Sequence, residues 1–201
     1  MRIILIRHGQ PQQHGDRIFL GQTDIPLSER GHEEASLAGE KLIQFGVQPD
    51  RIHTSDLLRA RETSATIATR LGGIPIIPDP DFRELNMGIW DGELIENIKS
   101  RYPDEYAHRG RNMMNYRTPG GENFHDLRER VTRSFQHLIQ EERPEPTPSG
   151  GSSDLVIVSH LGVIHTLLAQ LTHEDEAVIW QRRYPTGSVI VFDNSADILV
   201  L

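Results

Sequence analysis

The sequence contains no cysteine. This absence excludes structural disulfides, thiolate nucleophiles, iron–sulfur clusters and zinc sites built from thiolates. The sequence also has no apolar run that approaches the roughly 20 residues needed to cross a membrane. Its N-terminal apolar run, Ile3–Ile6, is too short for the core of a signal peptide and is followed at once by Arg7 and His8. We therefore expect a cytoplasmic protein without a membrane partner.

Positive charge is also scarce, because 21 Lys and Arg residues stand against 29 Asp and Glu residues and give a net charge of −8. Such a chain presents no general positive field to nucleic acid, so we expect no nucleic-acid partner. An anionic substrate must be held by a local cluster of Arg and His side chains. The length of 201 residues, 36% of them hydrophobic, predicts a single compact domain over residues 1–201.

Short apolar runs rich in β-branched residues alternate with segments of helical periodicity. The predicted strands are Ile3–Ile6, Arg51–Thr54, Ile74–Ile77, Leu155–Val158, Ser188–Phe192 and Ile198–Leu201. The first predicted helix is capped by Ser28, buries Ala35, Ala38, Leu42 and Phe45, and ends at Gly46. Further helices are predicted around Leu57, Leu58, Ile67 and Leu71, over Glu93–Arg101, after Asn123 with Phe124, Leu127, Val131, Phe135 and Leu138, and over Gly162–Leu171. This alternation predicts an α/β fold, a three-layer α/β/α sandwich with a mostly parallel central sheet.

Three segments lack these patterns. Asp81–Gly92 is predicted to be irregular, and Tyr106–Arg117 is predicted to be a solvated surface loop whose arginines, Arg109, Arg111 and Arg117, offer an alternative role in capping the site. The low-complexity segment Glu141–Asp154 is predicted to be a mobile surface loop. The late strand Ser188–Phe192 could pair two copies at a sheet edge, so a homodimer is possible and the oligomeric state stays open.

Two of the predicted buried strands end in histidine-containing segments. Arg7, His8 and Gly9 follow the first strand, and Ser159 and His160 end the strand that begins at Leu155. Ligands of parallel sheets bind beyond the carboxyl ends of the strands. The sequence therefore predicts that His8 and His160 meet on one rim of the sheet.

Phosphoryl transfer requires a nucleophile, positive donors around the phosphoryl oxygens and an acid for the departing alcohol. His8 is the candidate nucleophile, because a neutral imidazole can attack phosphorus. Arg7 and Arg59 are candidate clamps, since a guanidinium binds two phosphate oxygens at once. His160 is a candidate donor to the transferring group, and Glu84 a candidate acid. Each of these residues also has an ordinary interpretation: a strand-end or capping histidine, an exposed helical arginine, or a solvated loop carboxylate.

Several motifs occur with these candidates in a fixed order. They are LIRHG at Leu5–Gly9, GQTDIPLSERG at Gly21–Gly31, SDLLRARET at Ser55–Thr63, REL at Arg83–Leu85, GIWDG at Gly88–Gly92, PGGENF at Pro119–Phe124 and VSHLGVI at Val158–Ile164. With them the chain resembles the histidine phosphatase superfamily, also called phosphoglycerate mutase-like. The resemblance implies a phosphohistidine on His8, a phosphate pocket of Arg7, His8, Arg59 and His160, and Glu84 as proton donor and then base. It also implies no metal and no organic cofactor.

The predicted substrate-contacting residues are Gln10, His14, Gly21, Gln22 and Leu161. The sequence departs from the family pattern at Gln10, Pro11, His14, Leu20 and Leu161, which leaves the hydrolytic core intact and bears on the identity of the substrate. The short chain favours a phosphatase over a phosphoglycerate mutase. The resemblance points to α-ribazole phosphate, with sugar phosphates and other small phosphomonoesters as alternatives.

Two other classes of function remain open at this point. A non-catalytic phosphate-binding module could keep the fold, although all five chemical residues are present. The 10 histidines suggest a metallohydrolase as the other alternative, although no HExxH or comparable spacing occurs.

Overall fold

The structure is a computed structural model, and it describes residues 2–12, 17–141, 154–193 and 198–201. His14 and nearly all of the predicted loop Glu141–Asp154 lie outside these ranges. In the described ranges the strands are β1 (Ile3–Arg7), β2 (Ile52–Ser55), β3 (Ile76–Asp79), β4 (Leu155–Ser159), β5 (Val189–Phe192) and β6 (Ile198–Val200). The helices are α1 (Glu29–Gln44), α2 (Leu58–Arg70), α3 (Ile95–Arg101), α4 (Pro103–Arg111), α5 (Phe124–Glu141), α6 (Leu161–Thr172) and α7 (Glu176–Ile179). None of these helices combines the length and apolar character needed to cross a membrane.

The strands form one sheet in the order β3-β2-β4-β1-β5-β6. Strands β1 to β4 run parallel to their neighbours in this group, whereas β5 and β6 are antiparallel additions at one side. The predicted mostly parallel sheet is confirmed. Its centre is β1, which pairs with β4 on one edge and β5 on the other.

Alternate residues of β1 enter two separate cores. Ile4 and Ile6 pack with Ala38 and Leu42 of α1 in the layer that also contains α2. Leu5 faces the opposite layer, where α5 and α6 cover the sheet. Because successive side chains of a strand point to opposite faces, a strand buried on both sides reads as a continuous apolar run. The predicted three-layer α/β/α sandwich is confirmed.

Helix α1 begins where the sequence predicts, but the last residue of its predicted buried stripe, Phe45, lies outside the helix. The Ser28 side chain caps it by accepting a hydrogen bond from the Gly31 N–H. Ala35, Ala38 and Leu42 are buried, as predicted. Phe45 was wrongly predicted to belong to the buried stripe: it is the C-cap residue, just before Gly46 turns the chain with φ of +66°, and it stays 37% exposed.

Two other predictions need correction. The third strand does not span Ile74–Ile77 but Ile76–Asp79, because Ile76 pairs with Ile52 and Asp79 with Ser55 of β2. The predicted loop Tyr106–Arg117 begins inside helix α4, which opens at Pro103 with acidic residues and closes with basic ones. Helix α4 has no fully buried residue, so it lacks the apolar stripe by which helices are recognised in sequence.

Candidate active site

The two histidines lie side by side at the carboxyl ends of adjacent strands. In the parallel β1–β4 pair, Arg7 is opposite Ser159, so the next residues, His8 and His160, leave the sheet together. The His8 N–H donates to the Ser159 carbonyl at 2.9 Å, and the two ring centroids are 4.9 Å apart. The rim predicted from the sequence therefore exists, and it brings together residues 152 positions apart in the chain.

His8 has a defined tautomer. Its Nδ1 lies 2.7 Å from the Gly9 carbonyl oxygen, which can only accept, so Nδ1 carries the ring proton. The remaining nitrogen, Nε2, accepts a hydrogen bond from Arg59 Nε at 3.3 Å. Burial lowers the pKa of His8 well below its usual value, and the charges of Arg59 and Arg7 act in the same direction. His8 is therefore a neutral imidazole whose lone pair is on Nε2.

Arg59 enters the site from the first turn of α2 and is only 1% exposed. Its Nη2 donates to the Gly21 carbonyl at 2.7 Å and its Nη1 to the Thr23 carbonyl at 3.0 Å. Burial lowers the pKa of Arg59 to about 10, while the charges of Glu84, Asp24 and Asp91 oppose that shift. Arg59 thus remains a cation at neutral pH, held in one orientation by two peptide carbonyls.

Arg7 and His160 each keep a buried nitrogen without a hydrogen-bond partner among the described residues. Arg7 Nη1 donates to the Tyr184 carbonyl at 2.7 Å, whereas its Nε is unpartnered. His160 Nε2 is 2.8 Å from the Ser55 hydroxyl, whereas its Nδ1 is unpartnered. Buried polar atoms are nearly always satisfied, so two exceptions beside one neutral imidazole indicate atoms that a ligand completes.

His160 and Ser55 share a hydrogen bond whose direction depends on the tautomer of the ring. Ser55 Oγ accepts the Leu57 N–H at 3.3 Å and lies 2.8 Å from His160 Nε2. In the tautomer in which the Ser55 O–H donates to Nε2, Nδ1 carries the ring proton and can donate it in a hydrogen bond. Burial lowers the pKa of His160 well below its usual value, with Arg59 and His8 acting in the same direction.

Glu84 lies at the N-terminus of α6. Its Oε2 accepts the Gly162 N–H at 3.2 Å and its Oε1 accepts the Leu85 N–H at 2.8 Å. A Cβ at position 162 would lie 2.3 Å from Glu84 Oε1, so only glycine leaves room for this carboxyl group. Arg130 of α5 fixes the loop by donating to the carbonyls of Asp81, Arg83 and Glu84.

A pocket of about 460 Å³ lies beside these side chains, and His160, which is fully buried, is not part of its lining. Arg7, His8, Arg59 and Glu84 line it, and its outer wall consists of Gln10, Pro11, Gln12, Leu20 and Ser28. Of the predicted substrate-contacting residues that the structure describes, Gln10 alone is in this lining, and His14 lies outside the described ranges. Oε1 of Gln10 accepts a hydrogen bond from the Ser28 hydroxyl at 2.9 Å, which orients the amide.

The other predicted substrate residues are placed differently. Gly21 supports Arg59 through its carbonyl, and Gln22 Nε2 donates to the Glu84 carbonyl at 3.1 Å. Leu161 starts α6 and packs against the core that contains α5. Arg109 is half-buried, with its Cζ 5.4 Å from the centre of the Phe19 ring, rather than fully solvated. The role of Arg130 in holding the loop of Glu84 was not predicted from the sequence. Most of the groups that accept its hydrogen bonds are backbone carbonyls, which leave no pattern in the sequence.

Within the described ranges, no group of three or more histidine or acidic side chains is arranged to hold a metal ion. The donors in the pocket are cationic guanidinium groups and neutral imidazoles, and the acceptor set around them contains one carboxylate, Glu84. Such a site fits a bound anion, and a guanidinium such as that of Arg59 suits the oxygens of a phosphoryl group.

Comparison with known proteins shows the family to which the chain belongs. The model of the histidine phosphatase superfamily (branch 1) matches residues 3–198. The chain belongs to this superfamily, and the resemblance predicted from the motifs is confirmed. A 2,3-bisphosphoglycerate-dependent phosphoglycerate mutase of Brucella ovis is 30% identical over 198 residues, which cover 97% of this chain and 93% of the mutase.

Solved structures of phosphatases share the fold. The α-ribazole phosphatase of Shigella flexneri superimposes with a TM-score of 0.84 at 25% identity, covering 100% of this chain and 95% of the phosphatase. A mycobacterial glucosyl-3-phosphoglycerate phosphatase superimposes with a TM-score of 0.79 at 27% identity, covering 94% and 88%. Because the Brucella mutase is nearly matched end to end, the short chain does not separate phosphatase from mutase, and that argument from the sequence is wrong.

Proposed function

We propose that this protein is a phosphatase that hydrolyses a small phosphomonoester through a phosphohistidine on His8, without a metal ion or organic cofactor. The observation that carries the proposal is the hydrogen bonding of His8 and of the nitrogen atoms beside it. The neutral imidazole of His8 has its lone pair on Nε2, the nitrogen that faces Arg59. Beside it, Arg7 Nε and His160 Nδ1 lack hydrogen-bond partners among the described residues. A phosphoryl group supplies acceptors for these donors and an electrophile for the lone pair.

In the first step, phosphoryl oxygens accept hydrogen bonds from Arg7, Arg59 and His160. A phosphoryl oxygen is a stronger acceptor for the Arg59 N–H than an imidazole nitrogen, so its binding releases the lone pair of His8 Nε2. Nε2 attacks phosphorus, the N–P bond forms, and the bond from phosphorus to the ester oxygen breaks. Glu84 is the general acid, and its protonated form gives the proton to the departing alkoxide.

In the second step, the Glu84 carboxylate takes a proton from water as the water oxygen attacks phosphorus. The N–P bond breaks, phosphate leaves, and His8 returns to its neutral form with the proton still on Nδ1. The Gly9 carbonyl accepts from this Nδ1 throughout, so it stabilises the positive charge that the ring gains while phosphorylated.

The substrate class is proposed from the neighbours and the pocket wall. The superimposed structures are named as phosphatases of α-ribazole phosphate and glucosyl-3-phosphoglycerate, both phosphomonoesters with a sugar. The wall residues Gln10, Gln12 and Ser28 offer amide and hydroxyl groups of the kind that bind sugar hydroxyls. We propose α-ribazole phosphate or a sugar phosphate as the substrate.

Phosphoglycerate mutase-type phosphoryl transfer is the second candidate. It is favoured by one observation, the 30% identity to the Brucella mutase over almost the whole chain. The two reactions share the phosphohistidine and differ in its fate: a phosphatase transfers the phosphoryl group to water, and a mutase returns it to the substrate.

The test is phosphate release from a panel of α-ribazole phosphate, sugar phosphates, 3-phosphoglycerate and an aryl phosphate, with excess chelator. Wild type is expected to release phosphate, and His8→Ala to lose at least about 10³-fold in kcat/KM because the nucleophile is gone. His137→Ala, on the exposed face of α5, is the matched control and should behave as wild type.

Each other outcome has a defined meaning. Near-normal turnover by His8→Ala would remove the mechanism, and loss of activity with chelator would remove the claim of metal independence. Interconversion of 3- and 2-phosphoglycerate that requires 2,3-bisphosphoglycerate and exceeds phosphate release would identify the mutase.

A further inference from the structure

The GIWDG segment, Gly88–Gly92, contains a carboxylate that the proposed chemistry does not use. Asp91 accepts hydrogen bonds from three successive backbone N–H groups: Gly21 at 3.1 Å, Gln22 at 2.6 Å and Thr23 at 3.1 Å. It also accepts one from the Thr23 hydroxyl at 2.7 Å. One side chain thus fixes the whole Gly21–Thr23 segment.

This segment is the same one that holds Arg59. The carbonyls of Gly21 and Thr23 accept from Nη2 and Nη1 of Arg59, and the third nitrogen of the same guanidinium, Nε, donates to His8 Nε2. A continuous series of hydrogen bonds therefore leads from Asp91 through the Gly21–Gln22 peptide group and Arg59 to Nε2 of His8, and the Thr23 carbonyl holds Arg59 from the same segment. Asp91 itself does not line the pocket.

The packing around Asp91 leaves little freedom for this arrangement to change. A Cβ on Gly21 would lie 2.7 Å from Asp91 Oδ2 and 2.6 Å from the Leu85 carbonyl, so the segment can approach the carboxylate only because residue 21 is glycine. On the other side, Trp90 is 1% exposed and packs against Phe19 and Tyr116, which anchors the neighbouring backbone. Strict packing on both sides keeps the carboxylate in a single position.

The charge of Asp91 also acts on Arg59. Burial lowers the pKa of this arginine, and Asp91 is one of the carboxylates that oppose the shift. Replacement by an amide of the same size therefore removes a charge that favours the cation, and it also places an NH₂ group against N–H donors of the segment.

We propose that Asp91 is a positioning residue for the phosphate clamp: through the Gly21–Thr23 segment it sets the orientation of the Arg59 guanidinium relative to His8 Nε2. The role rests on the proposed function. It assigns to the GIWDG segment the task of presenting Arg59 to the phosphoryl group in one geometry.

The experiment is a double-mutant cycle on an aryl phosphate. Asp91→Asn in the wild-type background is expected to lower kcat/KM by about 10–100-fold, the usual cost of misplacing a catalytic group. In the Arg59→Met background the same substitution is expected to lower it less than about 3-fold, because the group through which Asp91 acts is gone. Equal losses in both backgrounds, or a kcat/KM near wild type for Asp91→Asn, would overturn the proposal.

Asp154→Asn is the matched control. Asp154 also accepts four hydrogen bonds, from the Arg2 backbone and guanidinium and from the Gln48 N–H, but it precedes β4 at the opposite end of the sheet. The substitution Asp154→Asn should lower the free energy of unfolding and leave kcat/KM within about 2-fold of wild type, since Asp154 does not line the pocket. If Asp91→Asn fails to fold, Thr23→Val removes one of the four hydrogen bonds and should lower kcat/KM in the same direction by a smaller factor.

A spectroscopic readout separates this inference from the proposed function. The ¹⁵N resonance of His8 Nε2 reports the hydrogen bond from Arg59, and it is expected to move towards that of an unbonded imidazole nitrogen in Asp91→Asn but not in Asp154→Asn. If wild type releases no phosphate, the proposed function fails and this shift still decides the role of Asp91. An unchanged resonance in Asp91→Asn would overturn that role even in an active enzyme.

Discussion

Glu84 is the residue whose position in the pocket depends on a helix. Both of its oxygens accept backbone N–H groups, from Leu85 and from Gly162. These bonds hold the carboxyl group at the pocket wall, where the proposed mechanism requires a proton donor. The strength of its contribution depends on the leaving group, since an alcohol leaves poorly without a proton and an activated phenol does not need one.

We predict that Glu84→Gln lowers kcat for an alkyl phosphate by about 10²–10⁴-fold, the usual range for a general acid. The loss for an activated aryl phosphate should be much smaller in the phosphorylation step. Single-turnover kinetics with both substrates measure this difference. Glu129→Gln, on the exposed face of α5, provides the control for the substitution itself. A similar loss on both substrates would argue that Glu84 does not protonate the leaving group.

At this scale the sequence predicts which candidate residues lie close together better than it predicts the residues that support them. The motifs and the strand ends predict that His8 and His160 lie side by side, and the motifs include Arg59 and Glu84, which line the same pocket as His8. Asp91 and Arg130 are not found, because their partners are peptide groups that any sequence provides. Only folding decides which peptide groups come within reach, so a sequence motif can contain such a residue without indicating its task.

Helix α6 carries the clearest element-level constraint. Gly162 is its second residue, and the absent Cβ is what admits Glu84 Oε1. We predict that Gly162→Ala lowers kcat for an alkyl phosphate by about 10–100-fold by displacing the carboxyl group. Alanine inside a helix is more stabilising than glycine by about 1 kcal/mol. The free energy of unfolding should therefore not fall in parallel with kcat.

Steady-state kinetics together with urea unfolding check this prediction. Gly110→Ala is the matched control, because a Cβ at this position of α4 has nothing within 4 Å. If Gly162→Ala kept full activity, the close approach of Glu84 to α6 would have no catalytic importance.

Elements with an apolar pattern were predicted from the sequence, and those without one were missed. Helices α1 and α5 and strands β1 and β4 present clear stripes or runs to the core, and their positions agree within a few residues. Helix α4 buries no residue completely, so its sequence resembles that of a loop. The bounds of β3 were shifted because pairing with β2, rather than local composition, decides which residues join an edge strand.

For the whole molecule, the buried histidines govern the response to acid. His8, His160 and His165 all have lowered pKa values, chiefly through burial, and the pKa of His165 is about 4. A histidine with a lower pKa in the folded state binds its proton more readily after unfolding. Its stabilising effect is complete above the unfolded value of 6.5 and is lost as pH falls below that value.

We therefore predict that the free energy of unfolding decreases below pH 6.5, by up to about 1.4 kcal/mol per histidine for each pH unit. Urea unfolding between pH 7.5 and pH 5 measures the slope. His165→Phe should reduce it by about a third, since His165 packs against Trp180 and Tyr184 outside the pocket. His137→Phe, on the surface, should leave the slope unchanged. A slope that did not respond to His165→Phe would contradict the buried-histidine account.

The layer architecture could be predicted from the sequence, but the strand order could not. Alternating strands and helices require helices on both faces of a sheet whatever the order of the strands. The order β3-β2-β4-β1-β5-β6 depends on which apolar strands pair over long distances, and several orders would bury the same residues. The rim containing His8 and His160 was nevertheless predictable, since it requires only that both strands run parallel.

The central position of β1 has a consequence for biosynthesis. Strand β1 leaves the ribosome well before both of its sheet partners, β4 at Leu155–Ser159 and then β5 at Val189–Phe192. At roughly 5–20 residues per second, Ile3–Ile6 stays unpaired for about 8 to 30 seconds of translation before β4 has been made. The hydrogen bond from Arg7 to the Tyr184 carbonyl can also form only after Tyr184 has been made. A chain whose translation stops before Leu155 would therefore lack both sheet partners of β1, and its apolar strand would stay exposed to chaperones.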